Sequence, residues 1–264
     1  LFAHLSGRAT AAVFVVLVLA VSAGTATVAG GLILALSPLL VTLVMMLVVT
    51  RDGYSRAGWR WLGLPRPGLR FWPAAVLTTA GVSLLAAGAV VALGLARFTP
   101  PGGEWAVDLL VLCMTGPVLA FAEEIGWRGY LQPRLDFLGE RAAMLAVGLV
   151  WAAWHLPYIV LTPHYHADGA RWLVLPLFTG SVIAFSFLAG RLRSASGSVW
   201  PAVLAHFAHN ASLAMLGTHV VATDHPVLVN EYLTGDTGLF VLLGTAACAA
   251  LPWLSRATTS SARR

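Results

Sequence analysis

The chain has 264 residues, of which 58% are apolar and 10% charged, and its mean hydropathy is +0.81. A soluble domain of this length needs far more surface charge, so one water-soluble hydrophobic domain is excluded and a polytopic membrane protein is expected. All 16 basic residues are arginine, the net charge is +5 and the pI is 9.9. No basic cluster interleaves with exposed aromatics, so nucleic acid is not an expected partner. Arginine without lysine, amid abundant Ala, Gly, Val and Leu, points to a GC-rich bacterial genome and a multi-pass protein of the cell (inner) membrane. Cys113 and Cys248 fall in separate apolar stretches and read as small hydrophobes, not as a disulfide or metal motif.

A membrane-crossing helix needs about 20 apolar residues. Spans are expected near 10–28, 32–50, 71–95, 107–131, 142–162, 172–190, 199–222 and 237–254, an all-α bundle of about eight helices in one integral membrane domain, 1–264. Arg8 ahead of the first apolar run also suits a secretory signal. The Gly30–Gly31 pair, a tight turn straight into the next span, favours a retained helix.

Arginine placement sets the orientation. With the N-terminus inside, the inner segments hold Arg8, Arg51, Arg56, Arg60, Arg66, Arg70, Arg128, Arg134, Arg141, Arg191, Arg193, Arg256, Arg263 and Arg264, which is 14 of the 16. Arg97 and Arg171 fall outside. Both termini are therefore expected to be cytoplasmic. The stretch RDGYSRAGWRWLGLPRPGLR (51–70) is expected along the cytoplasmic surface, with Trp and Arg at headgroup level.

Ionisable groups within spans mark function or a structural pair, because each costs about 2.5–3.5 kcal/mol at mid-bilayer on insertion scales. The fourth span carries Glu123, Glu124 and Arg128, of which Glu124 and Arg128 are i,i+4 neighbours able to form an ion pair. Glu123 points about 100° away and is left without a structural explanation. The fifth span has WAAWHLPYI with His155, and Pro157 beside it is expected to kink or end the helix. The seventh has AVLAHFAHN, where His206 and Asn210 share a face and His209 is rotated off it. At 1.5 Å per residue, Glu123 lies roughly 24 Å from the outer end of its span, His155 roughly 20 Å and His206 roughly 10 Å from the inner ends of theirs. These depths let them meet in the inner half of the bilayer, in a cavity expected to open toward the cytoplasm.

The set supports amide hydrolysis by activated water. Glu124 paired with Arg128 leaves Glu123 as the base, His155 binds the water or serves the leaving amine, and His206 with Asn210 can donate to an oxyanion. A zinc version would bind Glu123, His155 and His206, leaving a position for water, although no H-E-x-x-H is present. Without Gly-x-Ser-x-Gly or a buried nucleophilic Cys, a serine or cysteine hydrolase is disfavoured. A proton-coupled carrier is disfavoured because the polar groups cluster instead of lining a path.

Glu123-Glu124-x-x-x-Arg128, Trp151-x-x-x-His155 and His206-x-x-x-Asn210 together resemble the signature of the CAAX-protease and bacteriocin-processing (Abi, CPBP) family. The resemblance covers mainly 108–215. It implies an intramembrane endopeptidase of about eight spans acting on a peptide or protein near the membrane surface. Glu123 and His155 would activate water, His206 and Asn210 would form the oxyanion hole, and Glu124 and Arg128 would support them. Glutamate-type catalysis is preferred, with zinc as the alternative cofactor and a non-proteolytic immunity or binding protein as the alternative function. Trp151 stands where the family usually has Phe, a change expected to alter packing more than chemistry. His164, His166, His209, His219 and His225 match no motif and are left out of the site.

Overall fold

The computed structural model describes residues 5–252. Arg256, Arg263, Arg264 and the end of the last expected span lie outside the described residues. The protein is an all-α polytopic bundle. Among the described residues seven helical segments are long and apolar enough to cross a membrane: Gly7–Thr25, Ala29–Val49, Leu69–Ala92, Trp105–Arg134, Glu140–Leu161, Arg171–Ser196 and Val227–Ala250. The expected span at 199–222 is also helical, over Trp200–Met215 with a wider turn through Val220.

In chain order, α1 (Gly7–Thr25) is capped by Ser6, whose hydroxyl accepts from Ala9 N at 3.2 Å. Gly30 and Gly31 turn the chain at φ 60° and 85°, which non-glycine residues rarely adopt. A Cβ on Gly31 would lie 2.8 Å from the Tyr158 ring. Next come α2 (Leu32–Val44), which continues as a π-helical stretch over Met45–Val49, and the short α3 (Arg56–Trp61), capped by Ser55. The third span is two helices, α4 (Trp72–Leu77) and α5 (Ala80–Ala92). They part at Thr78 and Thr79, whose hydroxyls bond back to Ala74 O at 2.7 Å and Ala75 O at 2.8 Å, a pattern that bends helices.

The fourth span is α6 (Trp105–Glu124), a π-helical stretch over Ile125–Leu131, and α7 (Gln132–Arg134). Helix α8 (Glu140–Leu161) runs through Pro157, so of the expected kink or end at that residue the end does not occur. It is followed by α9 (Arg171–Ser196), α10 (Trp200–Met215) and α11 (Leu239–Ala250). Residues 227–234, expected as outer loop, are helical, and Gly235–Gly238 separate them from α11.

Helix α8 packs on α9 and α1, α10 on α6, α4 and α9, and α11 on α9 and α5. Apolar transfer drives little of this in lipid, where close packing and interhelical hydrogen bonds take over. Gly148 and Gly190 supply the close approach of α8 and α9: a Cβ on Gly148 would sit 3.1 Å from Ile183 Cα, and one on Gly190 2.7 Å from Met144 Cγ. Ser186 Oγ donates to Met144 O at 2.8 Å across the same seam.

The connections gather at two ends. At one, Asp52 meets Arg134 at 3.0 Å, Val199 N donates to Gly63 O at 3.2 Å, Arg193 Nη2 donates to Trp61 O at 3.1 Å and Arg8 lies 4.8 Å over the Phe137 ring. Arg191 Nη1 reaches Leu251 O at 3.4 Å, so both ends of the described chain are here with most of the arginines. At the other, the strands β1 (Arg97–Phe98) and β2 (Val221–Ala222) pair antiparallel, Arg97 opposite Ala222. Tyr158 OH donates to Gly30 O at 3.2 Å at this end as well.

Candidate active site

Glu123 and Glu124 divide as their 100° separation requires. Glu124 is fully buried against Arg128, Nη1 to Oε1 at 2.8 Å, with no exposure of either side chain. The same Oε1 is 3.0 Å from His206 Nδ1, a contact that sequence spacing did not show. Glu123 turns away and lines a cavity of about 380 Å³ together with His155, His206 and Asn210. All four expected catalytic residues thus reach one space, while Glu124 and Arg128 stand behind it.

Helix α8 contributes through two residues one turn apart. Trp151 Nε1 donates to Glu123 Oε2 at 2.9 Å, and Trp151 O accepts from His155 Nδ1 at 3.0 Å. A carbonyl only accepts, so Nδ1 of His155 carries the proton and Nε2 is the free nitrogen. The Trp151 ring also lies 5.3 Å from that of His206 and 4.5 Å beneath the Arg128 guanidinium. The expectation that Trp151 alters packing more than chemistry is therefore corrected. Its indole N–H is a polar contact of the candidate base, and phenylalanine has no such donor.

Among the residues outside the motifs that line the cavity are His209, Tyr165 and Asp236. His209 packs 5.0 Å from the Phe185 ring. Tyr165 stacks on His155 with centroids 6.2 Å apart and planes at 26°, and its hydroxyl donates to Asp236. His166 faces Glu231 at 2.7 Å and Asp236 at 2.9 Å, one carboxylate at each ring nitrogen. Burial alone would lower the His166 pKa, but the hydrogen bonds and charges of Asp236 and Glu231 outweigh it and raise it to about 9. The signal that could have singled out these residues was an outer loop dense in ionisable groups, YHADGAR (165–171). Of the other histidines outside the motifs, His219 pairs with Asp108 at 2.8 Å, away from this cavity.

The cavity's rim includes Gly30, Gly31, Leu32, Tyr158, Tyr165 and Asp236, all at the end opposite most of the arginines. No residue of 51–70, 132–141 or 191–200 lines it. The ends of the described chain and these lining residues fall at opposite ends of the bundle.

Glu123, His155 and His206 were the candidate zinc ligands. Among the described residues no group of three His, Cys, Asp or Glu side chains is gathered to hold a metal ion. One Glu123 oxygen is engaged by Trp151 and the Nδ1 of each histidine is engaged by another acceptor.

These features define a polytopic membrane protein with an acid–base cavity walled by α2, α6, α8, α9, α10 and α11. Residues 103–212, which hold all three motifs, match the family model described as type II CAAX prenyl endopeptidase Rce1-like, in agreement with the resemblance to the CAAX-protease and bacteriocin-processing family. The match supports CAAX-type intramembrane endopeptidase activity in general. No curated protein matches the chain.

Proposed function

We propose that the protein is a glutamate-type intramembrane endopeptidase in which Glu123 and His155 activate water and His206 and Asn210 hold the oxyanion. The observation that carries this reading is the shared cavity of those four side chains. Glu123 takes a proton from the water as its oxygen bonds to the scissile carbonyl carbon, while His155 Nε2 accepts the water's second hydrogen bond and orients it. The carbonyl oxygen becomes an oxyanion that accepts from the Asn210 amide and from the Nε2–H of an imidazolium His206, whose Nδ1 faces Glu124. The C–N bond then breaks, and the proton held by Glu123 passes to the departing amine.

The arginine distribution supports a cytoplasmic location for the end bearing the termini, which turns the cavity rim outward. The substrate would then be a peptide or membrane-protein segment presented from the outer face of the cell membrane. The test is turnover of fluorogenic peptides by purified protein. Glu123→Gln and His155→Ala are expected to abolish it, and equal turnover by wild type and both variants would remove the reading.

A further inference from the structure

The two connections at the cavity rim are fastened to one another beside the candidate catalytic histidine. His166 belongs to the 162–170 connection, and its partners Glu231 and Asp236 belong to the segment before α11. The same two segments are joined where Ala170 N donates to Tyr232 OH at 2.7 Å. His166 has φ 52°, a region that non-glycine residues rarely occupy unless their surroundings hold them there. With a carboxylate oxygen at each ring nitrogen it is held as the imidazolium, both nitrogens bearing hydrogen. Its neighbour Tyr165 is anchored through its hydroxyl to Asp236.

The consequence reaches His155. Tyr165 lies offset-stacked beside its ring, centroids 6.2 Å apart, Phe178 meets it edge-on at 5.0 Å and Trp154 edge-on at 4.5 Å. Trp154 and Phe178 are nearly fully buried within the helices. Tyr165 instead arrives from the rim, and Asp236 and the His166 link hold it there. We propose that Tyr165, locked by His166, Asp236 and Glu231, is a positioning residue for His155, and that this clasp between the two rim segments fixes the imidazole for catalysis. The inference rests on the endopeptidase reading for its kinetic consequence and on geometry alone for its structural one.

The experiment uses the full chain in detergent or nanodiscs, with Tyr165→Phe, His166→Ala, Asp236→Asn and Glu231→Gln. Two quantities are read: kcat and KM on a peptide whose cleavage requires Glu123, and acylation of His155 by diethyl pyrocarbonate, followed by peptide mass spectrometry with the exposed His225 as internal reference. His166→Ala and Asp236→Asn are expected to lower kcat about 10- to 100-fold, the cost of a misplaced catalytic group, with KM nearly unchanged. Both should raise His155 acylation severalfold. Tyr165→Phe keeps the ring but loses its anchor and should move both readouts less, and Glu231→Gln, which leaves Asp236 in place, least.

If the folded Asp236→Asn and Tyr165→Phe proteins match wild type in His155 acylation and kcat, the clasp does not position His155. If wild type and Glu123→Gln turn the peptide over equally, the endopeptidase reading fails. The acylation measurement still decides whether the clasp seats Tyr165 on His155: unchanged acylation overturns it and increased acylation supports it.

Discussion

The buried Glu124–Arg128 pair gives the sharpest test of how the site is held. Both side chains are fully buried, joined at 2.8 Å, and the pair's carboxylate also meets His206 at 3.0 Å. Removing one member of a buried ion pair strands the other charge at a cost of about 3–5 kcal/mol, whereas replacing both by neutral groups of similar volume is often close to neutral. Glu124→Gln and Arg128→Met should therefore each destabilise by about 3–5 kcal/mol, and the double variant should recover most of that loss. The coupling is read from unfolding of the purified protein in mixed micelles, as a double-mutant cycle. Activity should not recover with stability, because His206 has lost the carboxylate at its Nδ1 in the double variant. Additive losses in the double variant, with no coupling, would refute the claim that the two residues act as a unit.

Other expectations follow from single contacts. Trp151→Phe keeps the ring and the main-chain acceptor of His155 but removes the donor to Glu123. A hydrogen bond to a charged group is worth about 1.5–3 kcal/mol, so kcat/KM should fall at least about tenfold without loss of folding; wild-type kcat/KM would show that the bond does not serve catalysis. His166, with a pKa raised from 6.5 to about 9, contributes stability that is fully present below pH 6.5 and is lost as pH rises through 9. Its side chain is 8% exposed, and the contribution is about 3 kcal/mol. The melting temperature should fall between pH 7 and 10 in wild type and much less in His166→Ala, and parallel curves would count against it. In a Cys113→Ser, Cys248→Ser background, a membrane-impermeant maleimide added to intact cells should label Asp168→Cys at the rim. Arg56→Cys should label only after permeabilisation, and the reverse pattern would invert the orientation.

Spans and motifs were legible because lipid imposes a long apolar run with few ionisable exceptions, so Glu123, His155, His206 and Asn210 stood out against their surroundings. Helical geometry also gave the division of labour between Glu123 and Glu124, since adjacent side chains diverge by about 100°. The contact of His206 with Glu124 was not legible, because it depends on the packing of α10 against α6. His209 was set aside for lying off the His206–Asn210 face, yet the cavity is wide enough to take both faces of α10. Tyr165, His166 and Asp236 lie in connections, and Glu231 in the short helical segment 227–234, where spacing carries no information on what meets what. Trp151 was noticed as an aromatic, but whether an indole N–H faces a carboxylate is a matter of rotamer and helix rotation.

The proposed side of entry to the cavity rests on two observations, the position of His155 along its helix and the distribution of arginine. Counting residues gave His155 as roughly 20 Å above the inner end of its helix, which was read together with Glu123 and His206 as an inner-half site. In the structure His155 is six residues before Leu161, where α8 ends, which is about 9 Å of helix. The same residue is thus far from the arginine-bearing end and close to the rim. Access from the rim needs only a few extended residues of substrate at about 3.3–3.6 Å each. Access from the other end would have to pass Trp127, Tyr130 and Leu131, all fully buried. A peptide chain entering the bilayer must also find partners for its backbone polar groups, and the rim offers Tyr165, Asp236 and His209 along the short route to Glu123. On the proposed reading, the economical path to the carboxylate runs from the arginine-poor face.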